Sequence, residues 1–292
     1  MNIRDLQYLI TLYETKHFGK AAEKCFVSQP TLSMQIKKIE EELEIQLIER
    51  NNKPVLFTPV GEKIVDKARI IIQQVSDIKQ VAKAAKDPFC ATIQLSLIPT
   101  IGPYLLPKIL PKINKALPQL RLFLHEEKTD LTLKKLKSGS LDAAILALPI
   151  DTTNLAITPL YQEKFLIALP KQHPLNNKST LTLKDIQQEN LLLLSEGHCL
   201  REQALEACHL ANRSDFFEAT SLETLRYMVA SGVGITLLPE LAAKTNSQLL
   251  SLRPFKSPEP YREIVLIRRK SSPLESCLIK LSAIISAELN DR

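Results

Sequence analysis

The spacing of apolar positions divides the chain into three stretches. From Leu6 to about Thr58 they recur at helical intervals with short breaks, which predicts several short packed helices, and RNNKPVLFT then reads as a hairpin. Residues 1–58 are therefore expected to form a small winged helix-turn-helix domain. From Val60 onward, Ile64, Ala68, Ile71, Val75, Ile78, Ala82 and Ala85 step by 4, 3, 4, 3, 4 and 3. That heptad seam asks for a partner helix, the alternative being a helix packed on its own domain. Residues 59–88 are assigned as a linker and dimerisation helix, stopped at Asp87-Pro88 because proline disfavours helical geometry just before it.

Beyond the linker the pattern alternates between strand and helix: TIQLSLI, PYLLPKILPKINKAL, RLFLHE, DLTLKKLKSG, DAAILAL. A second set follows, with strands at KFLIALP, NLLLLS, FFEAT and GITLLP and helices after Cys199 and Ser221. This alternation predicts a parallel sheet covered by helices, arranged as a two-lobed α/β effector domain over 89–292 with a cleft between the lobes. Thr220 to Glu223 reads as a capping box.

Within the first stretch, FGKAAEKCFVSQPTLSMQIKKIEEEL is patterned as helix, turn, helix. Ser28 is placed to cap the second helix, and Pro30 falls in its first turn, where a missing N–H costs little. Leu32, Ile36, Ile39 and Leu43 form a buried stripe, leaving Gln29, Thr31, Ser33, Gln35 and Lys37 directed outward. Such side chains can read base edges, while Lys16, Lys20, Lys38, Arg50 and Lys53 can grip phosphate. The competing assignment is the solvated face of an ordinary bundle.

Composition does not choose between these. The 292-residue chain carries a net charge of +6, yet residues 1–58 hold eight Lys/Arg against eight Asp/Glu. The five cysteines (Cys25, Cys90, Cys199, Cys208 and Cys277) are irregularly spaced, unlike a secreted disulfide framework. MNIRDLQYLI lacks a cleavage signal, and no run of about 18 apolar residues follows. A cytoplasmic protein without membrane contact is expected.

The run AAEKCFVSQPTLSMQIKKIEEELEIQLIER, continuing through LFTPVGE, resembles the N-terminal domain of LysR-type transcriptional regulators. The resemblance implies a winged helix-turn-helix, a dimerising linker helix and a two-lobed, periplasmic-binding-protein-like effector domain. Two positions depart from the usual pattern, Glu44 in place of glycine and Ile48 in place of phenylalanine. A left-handed cap at Glu44 would cost roughly 1 kcal/mol.

The segment EGHCLREQALEACH places Cys199 at a helix start and Cys208 in its body. Nine residues of helix separate their Cα atoms by about 13.5 Å, whereas a disulfide tolerates about 7 Å. Joining them requires the helix to come apart, so such a bond would be a switch. A helix N-terminus, His198 and Arg201 can each favour the Cys199 thiolate, which attacks peroxide to give a sulfenic acid that a second thiol condenses with. Two inert buried thiols are the plainer assignment. Zinc held by His198, Cys199, Cys208 and His209 is disfavoured because a continuous helix keeps them apart, and neither a metal nor another cofactor is expected.

EGHCLREQALEACHLA, ATSLETLRYMVASGVGITLLP, LIPTIGPYLLP and LHEEKT together resemble the OxyR group of LysR-type regulators, the hydrogen peroxide sensors. The resemblance implies that Cys199 is peroxidatic and Cys208 resolving, with Thr100 and Thr129 at peroxide-contacting positions and His198 beside the sulfur. It further implies promoter DNA and hydrogen peroxide as partners, a homodimer through the linker helix assembling into a tetramer, contact with RNA polymerase, and a thiol reductant such as glutaredoxin. The chain would be a non-enzymatic regulator. A regulator gated by a metabolite in the cleft, and a thiol peroxidase, remain the alternatives.

Overall fold

The computed structural model describes residues 1–49, 54–84, 87, 89–207, 218–245 and 247–290. The chain divides into two compact units, Met1–Lys83 with Ser138–Ser140, and Ala84–Lys137 with Leu141–Arg292.

The first unit packs α1 (Ile3–Thr15), α2 (Phe18–Lys24) and α3 (Gln29–Leu43) around Leu9, Leu12, Ala21, Leu32, Ile36 and Ile39. Its helix ends follow the local chemistry. The Asn2 side chain accepts from the Arg4 and Asp5 amides, and Asp5 accepts from the Asn2 amide in return, which satisfies donors the first turn cannot pair internally. Ser28 caps α3 with Pro30 in the first turn, as its sequence requires. Glu44 ends α3 in the left-handed region at φ 54°, so the strained cap is kept without its glycine. Ile48 sits 6% exposed in the small core, at the start of β1 (Ile48–Glu49), which pairs antiparallel with β2 (Leu56–Phe57) as a short wing. Residues 50–53, which include Arg50 and Lys53, lie outside the described residues.

Thr58 then opens α4 (Pro59–Ala84), its hydroxyl accepting from the Gly61 amide. A Cβ on Gly61 would lie 2.2 Å from the Leu47 carbonyl oxygen, so only glycine permits this approach of α4 to the wing. Val65 and Ala68 are buried, but farther along Ile70, Ile71, Ile78 and Val81 are exposed.

In the second unit, β3 (Thr92–Leu97), α5 (Gly102–Ala116), β4 (Arg121–Glu126), α6 (Thr129–Lys137) and β5 (Ala143–Ala147) alternate as anticipated, with β3 parallel to both β4 and β5. The sheet as a whole is mixed, not parallel. The 15-residue β6 (Leu155–Leu169) runs through most of it. After α7 (Leu183–Ile186), β7 (Leu193–Leu194), α8 (Cys199–Ala207), β8 (Glu218–Ala219), α9 (Leu222–Ala230), β9 (Thr236–Pro239) and α10 (Glu240–Lys244) come β10 (Ser251–Pro254), β11 (Tyr261–Arg269) and α11 (Glu275–Asn290). Strand β6 pairs antiparallel with β9, β10 and β11, and β11 with β5. The α9 cap also differs from expectation: Ser221, one residue later than Thr220, accepts from the Thr224 amide. Glu223 is diverted, accepting from the Tyr104 hydroxyl at 3.0 Å and Arg226 Nε at 3.2 Å.

Candidate functional site

Three loops at strand ends converge in the second unit. The turn after β3 supplies Thr100, the chain after β4 supplies Lys128 and Thr129 at the start of α6, and the turn after β7 supplies His198 with Cys199 opening α8. With Ile98, Pro99 and Gly197 they line a small hollow, too tight as it stands to admit a water. Carboxyl ends of parallel strands are where such sheets leave room for ligands. The resemblance implied that Thr100, Thr129 and His198 gather around Cys199, which the residue pattern by itself did not show, and all four line this one hollow.

Cys199 is a free thiol, half-buried. Burial pushes it above its ordinary pKa, opposed by the Arg262 guanidinium, the Thr129 hydroxyl and the Leu200 amide, while Glu202 adds to the rise. Thr129 Oγ1 is buried and has no partner in normal hydrogen-bond geometry, although it lies near enough to the sulfur to favour the thiolate. His198 is buried, and desolvation, then the Lys128 charge, lowers its pKa. Histidine therefore stands here as a neutral ring and adds no positive charge to the thiol.

Arg201 is not part of this constellation. Its guanidinium donates to the Leu194 carbonyl at 3.0 Å and to Glu218 at 3.1 Å, holding β7 to β8. Two positions along a helix turn a side chain well away from its neighbour's face, so adjacency in sequence misassigned it.

The cation that faces Cys199 is Arg262 of β11, which sequence reasoning missed. It is 2% exposed and its charge is balanced by Glu163, its cross-strand partner on β6, at 2.7 Å. Glu163 also accepts the Leu241 amide at 2.8 Å. Arg262 Nη1 donates to Thr100 Oγ1 at 3.0 Å and Nη2 to the Thr100 carbonyl at 3.1 Å. Arginine only donates, so the Thr100 oxygen must accept and its own proton is free to be given elsewhere. One signal could have found this pair: Glu163 and Arg262 each occupy the strand parity of buried apolar neighbours, Phe165 and Ile264.

Cys208 and His209 lie outside the described residues, and α8 is described as far as Ala207. Among the described residues no cluster of three or more metal-ligating side chains occurs, and no helix is long and apolar enough to cross a membrane.

The first unit presents a groove of about 1270 Å³ between α3, the start of α2 and the wing. Gln29, Ser33 and Lys37 of α3 line it together with Lys16, His17 and Lys20. Ser28 and Pro30 are exposed, whereas Thr31 and Gln35 are half-buried. The Thr31 hydroxyl is held by Ser28 Oγ at 2.7 Å, and Lys37 pairs loosely with Glu41 at 3.4 Å. Two apolar residues that were not singled out are exposed nearby in sequence, Met34 on α3 and Phe26, 94% exposed with φ 55° in the preceding turn, and neither lines the groove.

Comparison with known proteins agrees with this division. Residues 3–62 match the bacterial regulatory helix-turn-helix model of the lysR family, and residues 86–289 match the LysR substrate binding domain. The "DNA-binding transcriptional dual regulator OxyR" of Escherichia coli K12 is 44% identical over 99% of this chain and 96% of its own. A full-length OxyR variant from Pseudomonas aeruginosa superposes with a TM-score of 0.79 at 38% identity, covering 98% of each chain. A cysteine mutant of Corynebacterium glutamicum OxyR described as H2O2-bound gives 0.69 at 30% identity, covering 99% of this chain and 93% of that one. Matching in both units and over nearly its whole length, this chain belongs to the LysR family of bacterial regulators and, within it, to the OxyR group.

Proposed function

We propose that this chain is a DNA-binding transcriptional regulator that senses hydrogen peroxide through Cys199. One observation carries the reading: a thiol, a buried hydroxyl with no partner beyond that sulfur (Thr129) and a hydroxyl obliged to donate (Thr100) line one small hollow with a guanidinium nearby. Peroxide both accepts and donates, and two fixed hydroxyls can orient its O–O bond toward sulfur. The thiolate attacks one oxygen, the O–O bond breaks, and the departing hydroxide takes the thiol proton as water, leaving a sulfenic acid. Condensation with the Cys208 thiol releases a second water and forms the disulfide. Since α8 begins at Cys199 and holds helical rise through Ala207, that bond is incompatible with the helix and acts as the switch.

The same reading makes the groove beside α3 the contact for promoter double-stranded DNA, with Gln29, Ser33 and Lys37 reading bases, Ser28, Pro30, Thr31 and Gln35 shaping the entry of α3, and Arg50 and Lys53 reaching phosphate from the wing. It divides the chain into a DNA-binding domain (1–58), a linker and dimerisation helix (59–88) and an effector domain (89–292). The exposed seam of α4 supports a homodimer, and the reading extends that dimer to a tetramer. A cytoplasmic setting, contact with RNA polymerase and re-reduction by a dithiol protein such as glutaredoxin complete the proposal. Peroxide is consumed stoichiometrically, as a signal.

The experiment is intact mass before and after one equivalent of peroxide, with disulfide mapping. Wild type should lose two hydrogens and gain a Cys199–Cys208 link; Cys208→Ser should gain one oxygen, and Cys199→Ser should stay unchanged. A wild-type reaction rate retained by Cys199→Ser would return first place to a regulator gated by a metabolite. For that second reading the specific observation is a groove of about 940 Å³ lined by Phe165, Gln203, Phe255 and Tyr261, where the Gln203 carbonyl oxygen is buried without a partner.

A further inference from the structure

The hollow around Cys199 has a wall that the peroxide chemistry does not use. Lys128 precedes Thr129, and its ammonium reaches the far side to donate to the Glu196 carbonyl at 2.7 Å. On the way its stem crosses Gly197: a Cβ at that position would lie 3.2 Å from Lys128 Cδ and 3.9 Å from Cε. Gly197 has φ +84°, so glycine serves twice, by adopting the left-handed turn into α8 and by leaving room for the lysine stem. Both Lys128 and Gly197 line the hollow. The lysine is therefore a strap, fastened at one end by the chain and at the other by a charge-assisted hydrogen bond.

We propose that Lys128 is a specificity-determining residue, closing the mouth of the Cys199 hollow to all but the smallest hydroperoxides. The proposal rests on the reading of Cys199 as the group that meets peroxide. The hollow as it stands is too tight to admit a water, so any hydroperoxide enters only as a wall gives way, and hydrogen peroxide, roughly the space of two waters of about 30 Å³ each, needs the least displacement. An alkyl hydroperoxide carries the same O–O unit but must bring its carbon skeleton past the mouth, which requires the Glu196 bond to break and the stem to leave Gly197. The chemistry is the same for both. The thiolate takes the oxygen distal to the alkyl group, the O–O bond breaks, sulfur is oxidised by two electrons to the sulfenic acid, and the leaving alkoxide takes up the proton given by the thiol to become the alcohol. Only entry distinguishes the two oxidants.

The test compares hydrogen peroxide with tert-butyl hydroperoxide as oxidants of Cys199 in the reduced full-length chain, followed by rapid-mixing loss of thiol and confirmed by mass. The readout is the ratio of the two rate constants. Lys128 also bears electrostatically on His198, and a change in thiol or imidazole ionisation moves both rates together, leaving the ratio unaltered. Lys128→Ala should raise the relative rate with tert-butyl hydroperoxide by about tenfold or more, the scale on which steric fit discriminates substrates. Lys128→Met, which keeps the stem but loses its fastening, should fall between wild type and the alanine variant. A ratio within about twofold of wild type in Lys128→Ala overturns the proposal. If wild-type Cys199 is oxidised by neither compound, the underlying reading fails as well; if hydrogen peroxide reacts rapidly and the ratio is insensitive to Lys128, only the strap is wrong.

Discussion

At Cys199 two opposed influences meet, and their balance sets how the thiol responds to pH. Burial raises its pKa, and the guanidinium of Arg262 is the largest force in the other direction. With the pKa above its ordinary value, the thiol is mostly protonated at neutral pH. The thiolate fraction, and with it the rate of alkylation by a small reagent, should then climb about tenfold per pH unit from neutral into the alkaline range. Arg262→Met should slow that reaction at pH 7 by about tenfold, since an opposing charge is removed from a desolvated site. A rate that is flat between pH 6 and 8, measured by iodoacetamide trapping at Cys199, would contradict this balance. Residue chemistry singled out the thiol from sequence, but the cation it placed beside that thiol, Arg201, is bonded elsewhere. Arg201 is two positions away in sequence and bonded to Leu194 and Glu218, whereas Arg262 arrives from a strand 63 positions further along the chain (262 − 199).

At the scale of elements, local signals placed the start of α3 to the residue but missed that of α9 by one, Ser221 capping in place of Thr220. Ser28 caps α3, and Pro30 sits where its lacking N–H is harmless. Glu44 shows the cost of departing from such a signal, since it holds a left-handed conformation that glycine adopts freely. Glu44→Gly should therefore stabilise the chain by about 1 kcal/mol, seen as a higher midpoint in urea unfolding, unless the unfolded-state entropy of the new glycine consumes the gain. An unchanged or lower midpoint would mean that relief of the cap is not the dominant effect. Strands β10 and β11 escaped the sequence reading, and β6 was recognised only from Lys164 onward. Their apolar alternation is interrupted by Thr158, Pro159, Glu163 and Arg262, polar or rigid residues whose presence makes sense only beside a partner strand. Glu163 and Arg262 look like exposed positions until the antiparallel register puts them opposite each other.

For the whole molecule, assembly is the question carried by α4. Its first turns bury Val65 and Ala68 in the first unit, while Ile71 is 43% and Ile78 68% exposed within the heptad seam. Apolar side chains repeating at that spacing call for a second helix. Ile78→Asp would place a charge in such an interface at a cost of several kcal/mol unless the pairing opens. Light scattering should show a smaller species than wild type at the same concentration; an unchanged mass would mean that α4 is not where copies meet.

Sequence alone determined the features that depend on short-range order: helix periodicity, capping, the heptad seam, and the incompatibility of an intact helix with a bond between Cys199 and Cys208. Each of these follows from the fixed rise and rotation of a helix, which needs no knowledge of what lies across the core. Tertiary structure decided what depends on contacts between distant strands: a mixed sheet in place of a parallel one, the meeting of Thr100 and Thr129 with Cys199, the Glu163–Arg262 pair behind them, and Lys128 lying across Gly197. The physical reason is that a buried charge is tolerated only beside its counter-charge, and the side chain that supplies it can come from anywhere in the chain that the register brings near.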